Sequence, residues 1–444
     1  MSKTFRDWSL DQAFLLPPSV HDFVPPEHLS RFVIALVTEE LDLSGILARY
    51  QGERGQPPYH PAMMVALLLY GYAVGVYSSR RIAKACAERV DFMAIVALDA
   101  PDFRTISEFR RRHLAALSAL FVQVLQLCEQ AGLVKLGHVA LDGTKIKANA
   151  SKHKAMSYER MTKREAELEA EVAGWLAAAE AADAAEDKAF GAHTRGDELP
   201  DWVANKQRRL AKIREAKAAL EAEAKAKAEA EKAEREKEDG DNPRPGRKAA
   251  PPSDVPEAKA QRNFTDPESR IMKTKDGFIQ GYNAQAAVDA ASQVVVAHGL
   301  SNASNDQQQL APMLDTIKAN TGELPDELSA DAGYCSEANL ECLEQKRVSG
   351  YVATGRQKHG EAAATGERTY RTGSRLAAMA TKLRRAGRRS RYRLRKQVVE
   401  PVFGQIKQAR GFRQFLLRGI EKVTAEWAMI CTAHNLLKLA KAAA

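Results

Sequence analysis

The stretch from Met156 to about Glu238 most constrains how this chain can fold. It is rich in Ala, Glu, Lys and Arg, and Trp175 and Trp202 are among its few large apolar anchors. Such a composition reads as long helix, or a helical hairpin, whose mixed charges are a solvated face. Strand-like sequence lies on both sides of it. Before it comes HVALD (His138 to Asp142), a short apolar run with a β-branched residue, ended by an Asp-Gly pair that reads as a turn. After it, Asp239 to about Ala260 is rich in proline and charge and too poor in large apolar residues to repay the entropy of ordering, so it reads as a flexible linker. Strand-like runs resume at Gly281 to Asp289 and Gln293 to Gly299, spaced as a hairpin. A helix is expected around Asp306 to Asn320, followed by LSAD and YVAT. Alternation of this kind implies a mixed α/β sheet with flanking helices, split by a long helical insertion.

From Pro26 to about Gly132 apolar residues recur at helical spacing, which predicts an all-helical N-terminal domain. Its uncharged run from Pro61 to Tyr77 is at the short limit for a bilayer span and contains two glycines, so it reads as a buried helix. Ser78 and Ser79 look like a cap ahead of an amphipathic helix. RRIAKACAERV and TISEFRRRH form either a helix–turn–helix DNA reader or an amphipathic helix with solvated arginines. In the second segment Thr105 and Glu108 have capping-box spacing and Arg110, Arg111 and Arg112 crowd one short helix. Five cysteines without a CxxC pair suggest neither a disulfide framework nor a structural zinc site. Together with an N-terminus lacking the apolar core of a secretory signal, they lead to an expected cytoplasmic location.

Cleavage of phosphodiesters with divalent metals requires carboxylates converging from separate elements. Asp142 stands where HVAL stops, at the kind of sheet edge where open α/β sheets collect their sites, although Asp-Gly is equally a hairpin signal. Asp331, in SADAGY, stands at the end of another strand, where Ala332 and Gly333 leave room for close approach. Glu400 sits among Val398, Val399 and Phe403, beside an apolar face where a carboxylate is costly to bury unless paired or metal-bound. Lys407 lies two helical turns beyond, on the same face. From Lys382 to Lys396 nine of fifteen residues are Lys or Arg, none is acidic, and Tyr392 is interleaved among them. With a formal net charge of +9, this density points to phosphate neutralisation and so to nucleic acid. An anionic membrane is disfavoured because no large apolar residues occupy an opposite face.

Several stretches in order, SSRRIAKAC, PDFRTISEFRRRH, VALDGTKIKANAS, TDPESRIMK, GYNAQAAVD, SADAGY and VVEPVFGQIKQARGFRQFLLRG followed by AHNLLKL, resemble a DDE-type insertion-sequence transposase with a ribonuclease H-like catalytic core. The resemblance implies an N-terminal helical domain over 1–132 for end binding or assembly. The catalytic core would begin over 133–155, be interrupted over 156–262, and resume over 263–444. It implies that Asp142, Asp331 and Glu400 are catalytic and hold two Mg²⁺ ions, for which Mn²⁺ can substitute. Partners would be double-stranded DNA, as element ends and target, and at least a second copy of the chain in a synaptic dimer or higher oligomer. The implied reaction is cleavage at the element's ends and strand transfer into target DNA.

Tyr392, Arg395, Glu400 and Lys407 approximate the family's signature around its glutamate. Arg395 is one residue farther from Glu400 than that pattern, and Lys396 stands at the expected place, so either is a candidate for the arginine's role. With Arg388, Arg389, Arg391 and Arg110 to Arg112 these residues make up the expected DNA contacts. Lys145 and Lys147 face either DNA or solvent. His434, on a stripe with Val423, Trp427, Ile430 and Leu437, reads as a satisfied core histidine, and packing explains Cys335. A catalytically inactive DNA-binding regulator and a non-transposing nuclease of the same fold are the rival readings.

Overall fold

The computed structural model describes residues 19–50, 57–190, 201–241, 253–274, 277–355, 363–366 and 369–443. The N-terminal region is helical, with α1 (Leu29–Ala35), α2 (Ser44–Leu47), α3 (Pro61–Ala73), α4 (Ser79–Glu88), α5 (Val90–Ile95), α6 (Phe103–Arg112) and α7 (Leu114–Gln130). His60 caps α3, Pro61 sits in its first turn, and Met64 to Ala73 are all buried, so the uncharged run is a core helix. Among the described residues no helix is long and apolar enough to cross a membrane. Ser78 caps α4 as expected, accepting from the Arg81 amide at 3.2 Å.

Three expectations in this region fail. The cap of α6 is Asp102, whose Oδ1 accepts from the Arg104 and Thr105 amides at 2.6 and 3.2 Å, while Glu108 pairs with Arg111 and Arg112. The two segments weighed as a helix–turn–helix are also not consecutive helices, because α5 lies between α4 and α6. Arg110, expected to face DNA, is 5% exposed and donates to Tyr72 Oη, Tyr77 O and Ser79 Oγ, each at 3.2 Å. Its charge also faces the buried carboxylate of Glu426, which accepts from the Leu416 and Leu417 amides at 2.9 to 3.0 Å. Arg110→Ala should therefore cost stability, on the order of 3 kcal/mol, by leaving buried acceptors without a donor and Glu426 without its cation. Arg111→Ala should change stability by less than about 0.5 kcal/mol, since its pair with Glu108 is exposed. Denaturant unfolding of the two variants checks the contrast.

The second half begins with β1 (His138–Lys147) and β2 (Ala155–Ser157), followed by α8 (Tyr158–Phe190), α9 (Asp201–Asp241) and β3 (Gln261–Asn263). The insertion is an antiparallel helical hairpin closed at its base by the antiparallel ribbon of β2 and β3. Tyr158 donates to Glu221 at 2.7 Å, Lys217 meets Glu165 at 2.9 Å, and Lys206 meets Glu171 at 2.6 Å. Met161, Leu168, Leu210, Ile213 and Leu220 form a small core between the helices. The side chains of Trp175 and Trp202 lie outside the described residues, as does 242–252 of the expected linker. Helix α9 runs into the start of that linker.

Then come β4 (Arg270–Thr274), β5 (Gly277–Asp289), β6 (Val295–Ser301), α10 (Leu310–Thr321), β7 (Glu327–Ala330), α11 (Glu337–Gln345), β8 (Ser349–Val352), α12 (Arg375–Ala386), α13 (Leu394–Gly404) and α14 (Ile420–Ala443). The sheet order is β4-β5-β1-β7-β8, and β6 pairs with β5. Strand β5 runs antiparallel to β4, β6 and β1, whereas β1, β7 and β8 are parallel. An antiparallel hairpin on one side of β1 and parallel strands on the other, flanked by helices, is the ribonuclease H-like arrangement. Strand β1 does not end in a turn at Asp142. It stays paired with β5 from Val139↔Asp289 to Lys147↔Gly281, and only its pairing with β7 stops, at Leu141↔Ala330.

Helix α14 joins the halves of the molecule, packing on β6, α7 and α3 so that N-terminal helices and sheet share one apolar core. Trp427 is fully buried and donates to Gln285 O at 2.9 Å. Asn435 both donates to and accepts from the Val295 backbone at 2.8 Å, beside the register shift at Ala287/Val288. His434 lies against Gln293 O at 2.8 Å, and burial pushes its pKa down to about 3, so it is a neutral core histidine.

Candidate active site

Parallel pairing of β1 with β7 ends at Leu141↔Ala330, so the next residue on each strand is an aspartate. Asp142 and Asp331 thus stand side by side where β7 gives way to a short turn over Ala332–Tyr334. Asp331 caps that turn, accepting from the Gly333 amide at 2.8 Å, and Asp142 Oδ1 accepts from the Gly143 amide at 2.9 Å. Both strands are buried up to these residues, which fixes the two side chains at the rim of a rigid sheet.

Helix α13 supplies the third acid and its cation. Arg395, with an 11% exposed side chain, reaches from this helix to Asp142, and its other terminal nitrogen lies 3.3 Å from Glu400 Oε1. Of the two candidates for the arginine, Arg395 is therefore the one in contact with these acids, whereas Lys396 is exposed. Glu400 is half exposed and does not bear the burial cost expected for it; what holds it in the site is Arg395. Lys407 turns toward β1, as Glu400 does through Arg395 and Asp142. It lies in a π-turn over Gln405–Ala409, and its Nζ donates to Thr144 Oγ1 at 2.6 Å and Lys145 O at 3.0 Å.

A further carboxylate enters from the turn before α10. Asp306, expected at the start of that helix, precedes it, since the helix begins only at Leu310. Its Oδ1 accepts from Asn283 Nδ2 and Gln285 Nε2 of β5, both at 2.7 Å, and Gln285 Oε1 accepts in turn from the buried Tyr334 hydroxyl. The tight approach explains two glycines: a β-carbon at Gly143 would lie 2.6 Å from Asp306 Oδ1, and one at Gly333 3.1 Å from Oδ2. Nothing in the sequence marks Asp306, because its turn carries no strand or helix pattern and its partners lie a strand away.

Burial pushes the pKa of Asp142 up to about 7. The Arg395 guanidinium and the Gly143 amide pull it down, while the charges of Asp331 and Asp306 add to the rise. Burial likewise raises Asp331, against the Gly333 amide. Burial, then the charge of Arg413, lowers Lys407.

The basic segment adjoins these acids through Arg395. Arg384, Arg385, Arg389, Arg391, Arg393 and Lys396 are exposed, and Arg391 pairs with Glu327. Tyr392, expected to interleave with DNA, is instead buried with Ala353, Ala364 and Leu383, and Arg395 lies over its ring at 5.9 Å. Lys382 is turned inward onto Ser349 Oγ and Gly350 O. The side chain of Arg388 lies outside the described residues.

The donor set suits a hard divalent cation, being all carboxylate oxygen. Like charges crowd there, and a guanidinium already stands between Asp142 and Glu400 as a cation would. Among the described residues no three Asp, Glu, His or Cys side chains form a ready-made cage, which is consistent with Arg395 occupying the space between two of them.

The scaffold and its neighbouring aspartates define a ribonuclease H-like protein with an acidic site at the junction of β1 and β7. The chain matches the family described as Transposase domain (DUF772) over residues 18–112 and that described as Transposase DDE domain over residues 250–436. It belongs to the DDE-type insertion-sequence transposases, which act on DNA and are generally dependent on divalent metal. Asp331 and Glu400 fall within the second match, whereas Asp142 and the helical insertion lie between the two. Neither a curated protein nor a solved structure matches the chain.

Proposed function

We propose that this transposase cleaves DNA at the ends of its element and joins the released 3′-hydroxyl to target DNA, using Asp142, Asp331 and Glu400 as its catalytic acids. The observation that carries the reading is the side-by-side placement of Asp142 and Asp331 beyond Leu141↔Ala330, with Glu400 brought to them by Arg395. These three acids would hold two Mg²⁺ ions, for which Mn²⁺ can substitute. When bound, such ions supply Lewis-acid polarisation of the scissile phosphate and of its nucleophile. The chain's own groups position. Rigid strand ends fix the two aspartates, Arg395 keeps Glu400 within reach of Asp142, and Lys407 secures the end of α13 to β1. The N-terminal helices serve end recognition or assembly, and two copies of the chain bring two ends together.

A plasmid carrying the coding element with its own flanking DNA tests this reading. Purified protein with Mg²⁺ should nick at the element's boundaries and join pre-cut ends to a second plasmid. Nicking without joining would leave a nuclease, and binding without nicking a regulator. DNA affinity has its own test, because the exposed cations beside the site neutralise phosphates. If about six of them each meet one phosphate, the slope of log affinity against log salt is about −5, and Arg389→Ala should make it about 1 less steep. A titration of binding across salt concentrations measures both.

A further inference from the structure

We infer that Asp306 is a fourth carboxylate of the metal site, held in place by the side-chain amides of Asn283 and Gln285. The inference rests on the reading of Asp142 and Asp331 as residues that hold divalent ions. It begins with position. Asp306 Oδ1 lies 2.6 Å from where a β-carbon on Gly143 would sit, and Oδ2 3.1 Å from where one on Gly333 would sit, so its carboxylate lies close to the backbone just beyond each of the two aspartates.

The clamp is specific. Two neutral donors converge on Oδ1 at 2.7 Å, and one of them, Gln285, is itself fixed by the Tyr334 hydroxyl and is completely buried. Neutral donors orient a carboxylate without cancelling its charge. The charges of Asp142, Asp331 and Asp306 act on one another, and Arg395 is the cation that touches Asp142 and Glu400. Carboxylates crowded in this way repel and are costly to keep ionised unless further positive charge arrives. A divalent ion beside Asp331 and Asp306 supplies it, and hard oxygen ligands from neighbouring strand ends and a turn are the donors such an ion takes.

Asp306→Asn isolates the charge. The variant keeps an Oδ1 that can accept from both amides, so an Asp306 that only braces the turn is served equally well by Asn. The probe is Mn²⁺, added to the full-length protein without DNA, with the free ion followed by electron paramagnetic resonance. D306N is expected to weaken Mn²⁺ binding at least about tenfold, and Asn283→Leu, which keeps the carboxylate but removes one donor, by about threefold to tenfold. Melting in EDTA confirms that each variant is folded, and Mn²⁺ should raise the melting temperature of D306N less than that of wild type. Wild-type Mn²⁺ affinity in D306N, with Asp331→Asn impaired, would overturn the inference and leave the role of Asp331 standing. Wild-type affinity in D331N would overturn that role, and the inference with it.

Discussion

Asp142→Ala is expected to reduce cleavage at element ends by about a thousandfold or more while leaving DNA affinity within about threefold. The two halves of this expectation have separate physical sources. Phosphoryl transfer is accelerated by positioning and by charge stabilisation at the attacking and leaving oxygens, and metal-held oxygens supply several kcal/mol of that. Removing a carboxylate proposed to hold the metal should lose most of it, and each 1.36 kcal/mol is a factor of ten in rate. Affinity is expected to come instead from the exposed cations of α12, α13 and the turns between them, and Asp142 is not among them. The substitution should even favour phosphate binding slightly, since it releases Arg395 from one of its two acids. Asp331→Ala should behave likewise, because its carboxylate stands next to Asp142. A single-turnover nicking assay beside a gel-shift titration separates rate from affinity. Equal cutting by wild type and D142A would remove Asp142 from the catalytic set.

Much of this architecture could be read from the sequence because its signals are local. The apolar run before Asp142, the spacing of the β5–β6 hairpin, the charged helical insertion and the strand before Asp331 each carry a periodicity or composition of their own. What escaped depends on partners distant in the chain. Asp142-Gly143 looks like a turn, yet β1 continues because β5, far along the sequence, pairs with it as far as Lys147. Gly143 leaves room for the close approach of Gln285 and Asp306, and no local pattern reports it. Charge alone also hides direction. Arg110 and Tyr392 sit in basic segments but turn into the core, where Glu426 and the Ala353–Leu383 cluster receive them. The choice between Arg395 and Lys396 depends on the phase of α13 against β1, which the contact with Asp142 reveals.

The same acid should make the protein less stable than it need be. A carboxylate whose pKa stands near 7 in the folded chain, against an ordinary value of 3.8, binds a proton more tightly folded than unfolded. Between those two pH values the folded state holds the extra proton, so stability falls as pH rises through the window and the penalty is complete above about pH 7. Burial is the main cause, and the opposing pull of Arg395 is already included in that raised value. Asp142→Asn removes the charge while keeping shape and an acceptor for the Gly143 amide. At pH 8 without metal it is expected to stabilise the protein by up to about 4 kcal/mol, since each tenfold difference in proton affinity between the folded and unfolded chain is worth about 1.4 kcal/mol. At pH 4 the gain should almost vanish, because Asp142 is then protonated in the folded wild type. Divalent metal at pH 8 should stabilise wild type more than the variant, since one of the carboxylates proposed to hold it is gone. Denaturant unfolding of both proteins at the two pH values, with EDTA or Mn²⁺, reads all of these differences. A variant less stable than wild type at pH 8 in EDTA would show that Arg395 compensates the Asp142 charge fully, and that the site does not store repulsion for a metal to relieve.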